Sequence, residues 1–394
     1  MTVSAPTRGT EGAATLEAAN RVGAYLERVA YRGYDPFDVL SSPLFRLPAL
    51  RSARLPRFAA QQVWRRLPLN LRPLLRVPLG YNPVTLALAL QGHAYLAAAE
   101  PEKAEGHRAR AEFLLQELDR LRSQAWSGAC WGYDFDWESR YARFPAGTPT
   151  VVATGIVSNA LFTAWERFGL EQAYTLCESA CSFVIRDLNR SPGDGDTFCW
   201  SYSPLDTNCV LNATMKGARL CAQIFSVNGD SELRETAEAT VRYVCERQLP
   251  GGSWPYSIGD ARKWSDNFHT AYVLDCLDEY ESRTGDSQLA DAKLSGWRYY
   301  RTNFFTDDFV PKYFDTSLYP IDATACAQSI LTLCRFGDAQ SALRVARWTA
   351  EHMVQADGSV LYQRLRRRVN AISYIRWSAA AAFCGLSRAA LASA

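Results

Sequence analysis

One pattern recurs through the chain and limits what it can fold into: a long amphipathic helix, a turn rich in Gly, Trp and Tyr, then a more apolar helix. The first copy runs Glu102 to Gln124, turns through Gly128 to Trp137 and continues as Thr150 to Phe168. The second runs Glu171 to Asn189, turns at FCWSYSPLD and continues as Asp206 to Phe225. The third runs Ser231 to Gln248, turns at GGSWPYS and continues as Asp266 to Glu281. The fourth spans Ser287 to Phe305 and Ile321 to Phe336 around FVPKYFDTSLYP, and the fifth Ala339 to Gln355 and Tyr374 to Leu391 around DGSVLYQ. A sixth pair, Thr15 to Ala30 and Asn82 to Ala99, is split by a long insertion.

The two members of each pair differ in character. In the third, Leu233, Ala237, Val241 and Val244 recur at helical spacing with Glu235, Glu238 and Arg242 between them, which is an outer helix with one wet face. Second members such as VVATGIVSNALF and ATACAQSILTLC are apolar nearly all round, so they are buried between neighbours. A period of roughly 55 to 65 residues marks an array of hairpins rather than independent domains. Six alternating outer and inner helices predict an all-α (α/α)6 toroid, a single domain over 1–394; an open solenoid of the same hairpins is the alternative. Residues 1–14 read as disordered, and 31–81 as an inserted basic strap.

Composition removes several function classes. Lys and Arg total 43 against 41 Asp and Glu, which gives no argument for nucleic acid. No apolar run reaches the roughly 18 residues of a membrane span, and the first twenty residues lack the apolar core of a signal peptide. Eleven cysteines, many in helical patterns and none in CxxC pairs, read as reduced core thiols of a cytoplasmic protein. No His/Cys/Asp set has ligand spacing, so neither a metal nor another cofactor is expected. Eleven tryptophans and nineteen tyrosines recur with Gly and Pro between the helices, where a carbohydrate or another flat ligand could stack.

Closing the ring places the inner-helix N-termini and the preceding turns at one end. Asp134, Asp136, Trp137, Arg140, Tyr202, Trp254, Tyr256, Trp264, Asp266, Asn267, His269, Tyr313, Asp315, Asp322, Arg376 and Trp377 gather there. Asp266 and Asp322 could equally be helix caps, satisfying free backbone N–H groups. Asn208, Asn212 and Lys216 stand at i, i+4 and i+8, as do Thr150, Thr154 and Ser158, with Thr324 and Gln328 on a third helix. Such stripes point to a wet lumen or to hydrogen bonds between inner helices. His269 alone of the histidines stands at a turn-to-inner-helix junction, where it suits a general base.

From Val39 to Ala99 there is no acidic residue, while Arg51, Arg54, Arg57, Arg65, Arg66, Arg72 and Arg76 alternate with Leu, Pro and Trp. This reads either as a strap burying Leu and pointing Arg outward, or as a surface for anionic lipid or a lipid-linked glycan. A second basic cluster, Arg364 to Arg368, follows the last turn.

The segments YRGYDPFDVLSSP, LPLNLRPLLRVPLGYNP, GGSWPYS and WSDNFHTAYVLDCL resemble helical-toroid proteins of bacterial polysaccharide-biosynthesis clusters. These are distantly similar to the glucuronyl C5-epimerase and other carbohydrate-active toroids. The resemblance covers roughly Tyr31 to Trp377 and implies a glycan-assembly setting with a saccharide or lipid-linked glycan as partner. The chain departs from toroids similar to N-acylglucosamine 2-epimerase, which use a pair of cavity histidines, and from lanthionine cyclases, which need a Cys/Cys/His zinc site.

Three functions follow as expectations. The first is an epimerase or lyase at a uronate. Its base is His269 or Tyr256, Tyr202 or Tyr313 is the opposite partner, and Arg140, Arg376 and Asn267 hold the carboxylate. The second is a glycoside hydrolase drawing two carboxyls from Asp134, Asp136, Asp266, Asp315 and Asp322. The third is a non-catalytic glycan-binding scaffold of a membrane-associated assembly.

Overall fold

The computed structural model describes residues 9–139, 142–259, 261–262 and 264–394. Among them, twelve long helices form two concentric rings. The inner ring is α4 (Pro83–Ala99), α6 (Val151–Phe168), α8 (Leu211–Asn228), α10 (Asn267–Thr284), α12 (Ala323–Arg335) and α14 (Ala381–Ala392). The outer ring is α1 (Thr10–Arg28), α5 (Ala104–Arg120), α7 (Glu171–Arg186), α9 (Ser231–Cys245), α11 (Ala290–Asn303) and α13 (Ala339–His352). Two short helices, α2 (Pro48–Arg51) and α3 (Arg54–Trp64), lie in the insertion.

Each inner helix packs on the next, and α14 packs on α4, so the ring closes and the chain is an all-α toroid rather than a solenoid. The outer helices correct one detail of the repeat. Each packs chiefly on the inner helix before it, α5 on α4, α7 on α6 and α9 on α8, while N-terminal α1 packs on C-terminal α14. The tight hairpins are therefore inner-then-outer, and the two chain ends complete the sixth. Gly169, Gly229 and Gly285 make this possible, ending α6, α8 and α10 at φ of 65, 72 and 71°. This left-handed cap costs other residues more than Gly.

Close approach of the inner helices depends on small residues. A Cβ on Gly155 would lie 2.5 Å from the Cβ of Lys216 on α8, and one on Gly385 would lie 2.9 Å from the Ala327 backbone on α12. The long connections carry short antiparallel ladders: β1 (Trp137–Glu138) with β2 (Arg143–Phe144), β3 (Arg190–Pro192) with β4 (Phe198–Trp200), and β5 (Ile321–Asp322), β6 (Gln363–Arg364) and β7 (Val369–Asn370) in one sheet. They fix the turns at the end where the inner helices begin.

Several boundaries differ from the sequence reading. α1 starts at Thr10, so residues 10–14 are helical, and 1–8 lie outside the described residues. The last inner helix opens as a π-helical stretch, Ile375–Ala380, before α14. Asp206 does not start a helix; its carboxylate accepts hydrogen bonds from the Ser203 and Asn208 backbone N–H groups (2.9 and 2.8 Å) and organises a loop.

Not all the arginines of the insertion point outward. An antiparallel bridge between Gly33 and Gly80 closes its base. Arg57, fully buried, donates to Glu138 Oε1 and Asp136 Oδ2, both at 2.7 Å. Arg72, also buried, donates to Asp38 Oδ1 (2.6 Å) and to Tyr374 Oη (3.0 Å). Burying unpaired guanidinium would be prohibitive; these pairs lock the strap onto the toroid. Among the described residues no helix is long and apolar enough to cross a membrane.

Candidate functional site

The ring encloses a cavity of about 810 Å3 that opens at the end where the inner helices begin. Its mouth is aromatic: Trp137, Tyr133, Phe135 and Phe144 from the first long connection, Tyr202 from the second, Tyr313 from the fourth, and Trp377. Phe37 and Phe58 of the strap join them, with Phe37 6.2 Å from Trp377 and 6.4 Å from Trp137 between ring centroids. Trp264, 37% exposed, stands at the rim against Phe314. Such flat apolar faces beside hydroxyls suit the two sides of a sugar ring.

α10 brings the titratable groups inside. Asp266 is its N-cap, Oδ1 accepting from the His269 backbone N–H at 2.9 Å. Its other oxygen, Oδ2, lies 2.6 Å from His269 Nδ1. A carboxylate only accepts, so Nδ1 carries the hydrogen, and in the neutral ring that tautomer leaves the lone pair on Nε2. One aspartate thus starts the helix and orients the imidazole of the first turn. Tyr256 packs edge-on against His269 at 4.8 Å, and the Arg262 guanidinium stacks 4.3 Å over the Tyr256 ring.

One turn deeper, Lys216 of α8 puts its Nζ 3.4 Å from the ring centroid of Tyr272. The lysine is 1% exposed, lines the cavity, and has no hydrogen bond or ion pair among the described residues. Burial drives its pKa down from 10.5 to about 7, with Arg219 pushing the same way and Cys276 and Asp275 opposing. A buried amine without a carboxylate is a costly feature, and it marks a site where an anion is expected. Burial holds Tyr202 and Tyr313 well above the ordinary phenol range, so both remain protonated and act as donors. Tyr202 Oη lies 3.3 Å from Tyr133 Oη.

Of the residues singled out in the sequence, Trp137, Tyr202, Asn208, Asn212, Lys216, Tyr256, Trp264, Asp266, His269, Tyr313, Arg376 and Trp377 line the cavity. Others do not. Asp134 accepts from Tyr81 N and Asn82 Nδ2, both at 2.7 Å. Asp136 is held by Arg57, and Asp315 accepts from Tyr299 Oη at 2.7 Å. Asp322 caps α12 through the Thr324 N–H (2.8 Å) and accepts from Gln363 (2.9 Å). Asn267 turns away from the cavity to Tyr300 and Ser329 (2.8 and 3.2 Å), and Trp254 is buried with Nε1 donating to Val244 O at 3.1 Å. Arg140 lies outside the described residues. Arg376 lines the cavity already paired with Asp35 (2.7 Å), its guanidinium near Tyr133 and Trp377.

The polar stripes divide. Asn212 and Lys216 face the lumen, with Asn208 before the helix, and so do Thr324 and Gln328. Thr150 and Thr154 do not: Thr150 caps α6, and Thr154 accepts from the Trp131 backbone N–H at 3.1 Å. From α6 the lumen receives Val152, Ile156 and Asn159 instead. Residues missed in the sequence include Tyr272 and Asp275 on α10, Arg219 on α8 and Arg335 on α12. Asp275 is tied to Gln328 and Thr332 at 2.7 and 2.8 Å. Among the described residues no group of three or more His, Cys, Asp or Glu could hold a metal ion.

No protein-family model matches the sequence, and no curated protein matches it either. Solved structures do share the fold. Cellobiose 2-epimerase from Bacillus thermoamylovorans is similar over 79% of this chain and 89% of its own, with TM-score 0.60 and 10% identity. A family 76 glycoside hydrolase (mannosidase) from Bacteroides thetaiotaomicron is similar over 96% of this chain and 98% of its own, with TM-score 0.59 and 9% identity. An unsaturated glucuronyl hydrolase specific for heparin covers 78% of this chain with 85% of its own, at TM-score 0.56 and 10% identity. At these identities the likeness is one of fold: the (α/α) toroid.

Proposed function

We propose that the protein is a carbohydrate-active enzyme that removes a proton beside a carboxylate, as an epimerase or lyase on a uronate-containing saccharide. The observation that carries this reading is the His269–Asp266 pair, 2.6 Å apart at the mouth of an aromatic cavity that also holds Lys216, unpaired among the described residues. His269 Nε2 takes the proton, and Asp266 steadies the imidazolium that forms. Negative charge then builds on the substrate carboxylate. Lys216 supplies the compensating cation in a site shielded from water. The reading differs from the sequence expectation here, because Arg376 is neutralised by Asp35 and Asn267 points elsewhere.

Tyr202 or Tyr313, protonated at neutral pH, returns a proton from another side of the sugar to invert the centre, or protonates a departing 4-oxygen to leave a double bond. Trp264, Trp137 and Trp377 provide stacking surfaces, and the solved toroids acting on cellobiose and on glucuronyl substrates are in keeping with a saccharide in this lumen. The sugar is free or carried on a lipid.

Hydrolysis by two carboxyls requires them roughly 5–10 Å apart across the bond. Of the five aspartates considered, Asp266 alone lines the cavity. Asp275 and Asp278 lie nine and twelve residues beyond Asp266, about 13 and 18 Å further down the α10 axis. Asp275 is tied to Gln328 and Thr332, Asp278 is paired with Lys293 (3.1 Å) and Arg335 (3.5 Å), and Glu138 is held by Arg57 and Arg143 at 2.7 and 3.3 Å. The test is incubation with uronate-containing oligosaccharides in heavy water. Deuterium at the uronate C5 or a new 4,5-double bond, both abolished in His269→Ala, supports the reading; full activity of a His269→Ala, Tyr256→Phe double variant sinks the assignment.

A further inference from the structure

We infer that the strap docks the toroid on an anionic membrane surface, with the cavity mouth at the lipid. The docking stands on the strap's own surface and rests on the proposed function only for what the cavity receives there.

Helix α3 carries three kinds of side chain. Arg57 and Gln61 are buried against the β1 connection, and Gln61 donates to the carbonyls of Phe37 and Asp136 (2.7 and 3.1 Å). Phe58, Gln62 and Arg65 line the cavity. Leu55, Ala59 and Val63, at i, i+4 and i+8, form an exposed apolar stripe, and Leu55 is 80% exposed. Leu55 and Phe58, like Ala59 and Gln62, are three residues apart, so the exposed stripe runs beside the cavity-lining one. Whatever covers the first stripe sits at the lip of the cavity.

The limbs flanking α3 repeat this exposure. Leu44 and Leu47 precede it, and Leu69, Leu74 and Leu79 follow, all exposed, with Leu74 at 79%. Ser42 Oγ donates to Leu75 O at 2.6 Å, tying the two limbs together. Seven of the sixteen exposed large apolar side chains among the described residues thus fall within 44–79, too concentrated for the scattered exposure of an ordinary surface.

Charge selects the partner. Arg46, Arg51, Arg66 and Arg76 are exposed in the same segment, which holds no acidic residue. The hairpin after β6 adds exposed Arg366, Arg367 and Arg368, and Asn370 Nδ2 of that hairpin donates to Leu67 O of the strap at 3.4 Å. Leucines projecting among arginines, with acids excluded, match a lipid surface in which the acyl boundary takes the Leu and anionic headgroups take the Arg. A second copy of the chain would bring the same positive charge face to face. The substrate class then narrows to a saccharide carried on a membrane lipid, entering past Phe58 and Arg65.

Co-sedimentation of the full-length protein with vesicles tests this without any substrate, so its outcome is separate from that of the proposed reaction. Vesicles of phosphatidylcholine with about one-third phosphatidylglycerol, in about 0.1 M salt, are compared with phosphatidylcholine alone. The bound fraction should be at least about tenfold higher on anionic vesicles, and fall by a similar factor in Leu55→Gln/Val63→Gln/Leu74→Gln and, independently, in Arg46→Gln/Arg51→Gln/Arg76→Gln. All six side chains are exposed, and an unchanged urea midpoint verifies the fold of each variant. Equal pelleting with both vesicle types, or variants that bind like the parent, overturns the inference. A parent that stays in solution as a dimer, split by the Leu55 variant, assigns the face to a second copy instead.

Discussion

The ammonium of Lys216 rests 3.4 Å from the ring centroid of Tyr272, with no carboxylate paired to it among the described residues. The contact with the ring offsets part of the cost of burying the charge, yet the pKa still falls to about 7. In the unfolded chain the same amine titrates near 10.5. Between those values the unfolded state binds more protons, so stability rises with pH; below pH 7 the native state bears the full penalty. Lys216→Met should therefore melt higher than the parent at pH 7, with a gain on the order of a few kcal/mol. Its advantage should shrink toward pH 10, and catalysis should drop at least about a hundredfold. Thermal scans across pH read the first effect; a lower midpoint for the variant at pH 7 contradicts it.

Asp266 does two jobs that a pair of substitutions separates. Asparagine caps a helix about as well as aspartate, so Asp266→Asn should stay within about 0.5 kcal/mol of the parent in urea. It should nonetheless lose about a thousandfold in kcat, because the amide cannot support the imidazolium. Asp266→Ala should lose the activity and about 1 kcal/mol of stability together. Parent-like kcat in the asparagine variant would remove the pair from the mechanism.

Arg57 anchors the strap. Arg57→Met leaves Glu138, fully buried, with Arg143 at 3.3 Å as its one cationic partner among the described residues, and leaves Asp136 with the Ala146 N–H (3.0 Å) but no ion pair. The expected cost is about 3–5 kcal/mol by urea denaturation. Adding Glu138→Gln should recover part of it, since the buried charge is what makes the single variant expensive. A change under about 0.5 kcal/mol for the single variant would show that the strap is held by something else.

Gly155 and Gly92 form a matched comparison. A Cβ at either meets a side-chain carbon at 2.5 Å: the Lys216 Cβ for Gly155 and the Phe383 ring for Gly92. Both alanine variants should lose about 1–3 kcal/mol. Only Gly155→Ala pushes on a lumen residue, so it alone should lower kcat/KM by more than its stability loss explains. Equal activities in the two variants would argue against Lys216 as a placed group.

Much of the ring was legible because outer and inner helices bury different amounts of surface, and that difference is written as one-sided against all-round apolarity. The inner-then-outer hairpins are harder to see, since among 24 glycines nothing local marks Gly169, Gly229 and Gly285 as the left-handed caps of tight connections. His269 stood out by its junction position, and the helix start fixed Asp266 beside it. Four other aspartates were misplaced because a cap, a loop acceptor and a catalytic acid look alike in one dimension. Asp134, for example, is committed to Tyr81 and Asn82, some fifty residues away. The same holds for the strap: composition shows many arginines, but Arg57 finds Glu138 eighty-one residues later, which no local pattern reveals. Tyr272 and Asp275 were hidden because a helix wet on a narrow inner stripe reads as simply buried.

The most direct test of the central claim is proton NMR of uronate-containing oligosaccharides turned over in heavy water. The account predicts loss of the C5 proton signal through deuterium uptake, or its disappearance with a new vinylic proton at C4, in the parent and in neither His269→Ala nor Asp266→Asn. New reducing ends with every C5 proton retained would contradict it and return the cavity to hydrolysis.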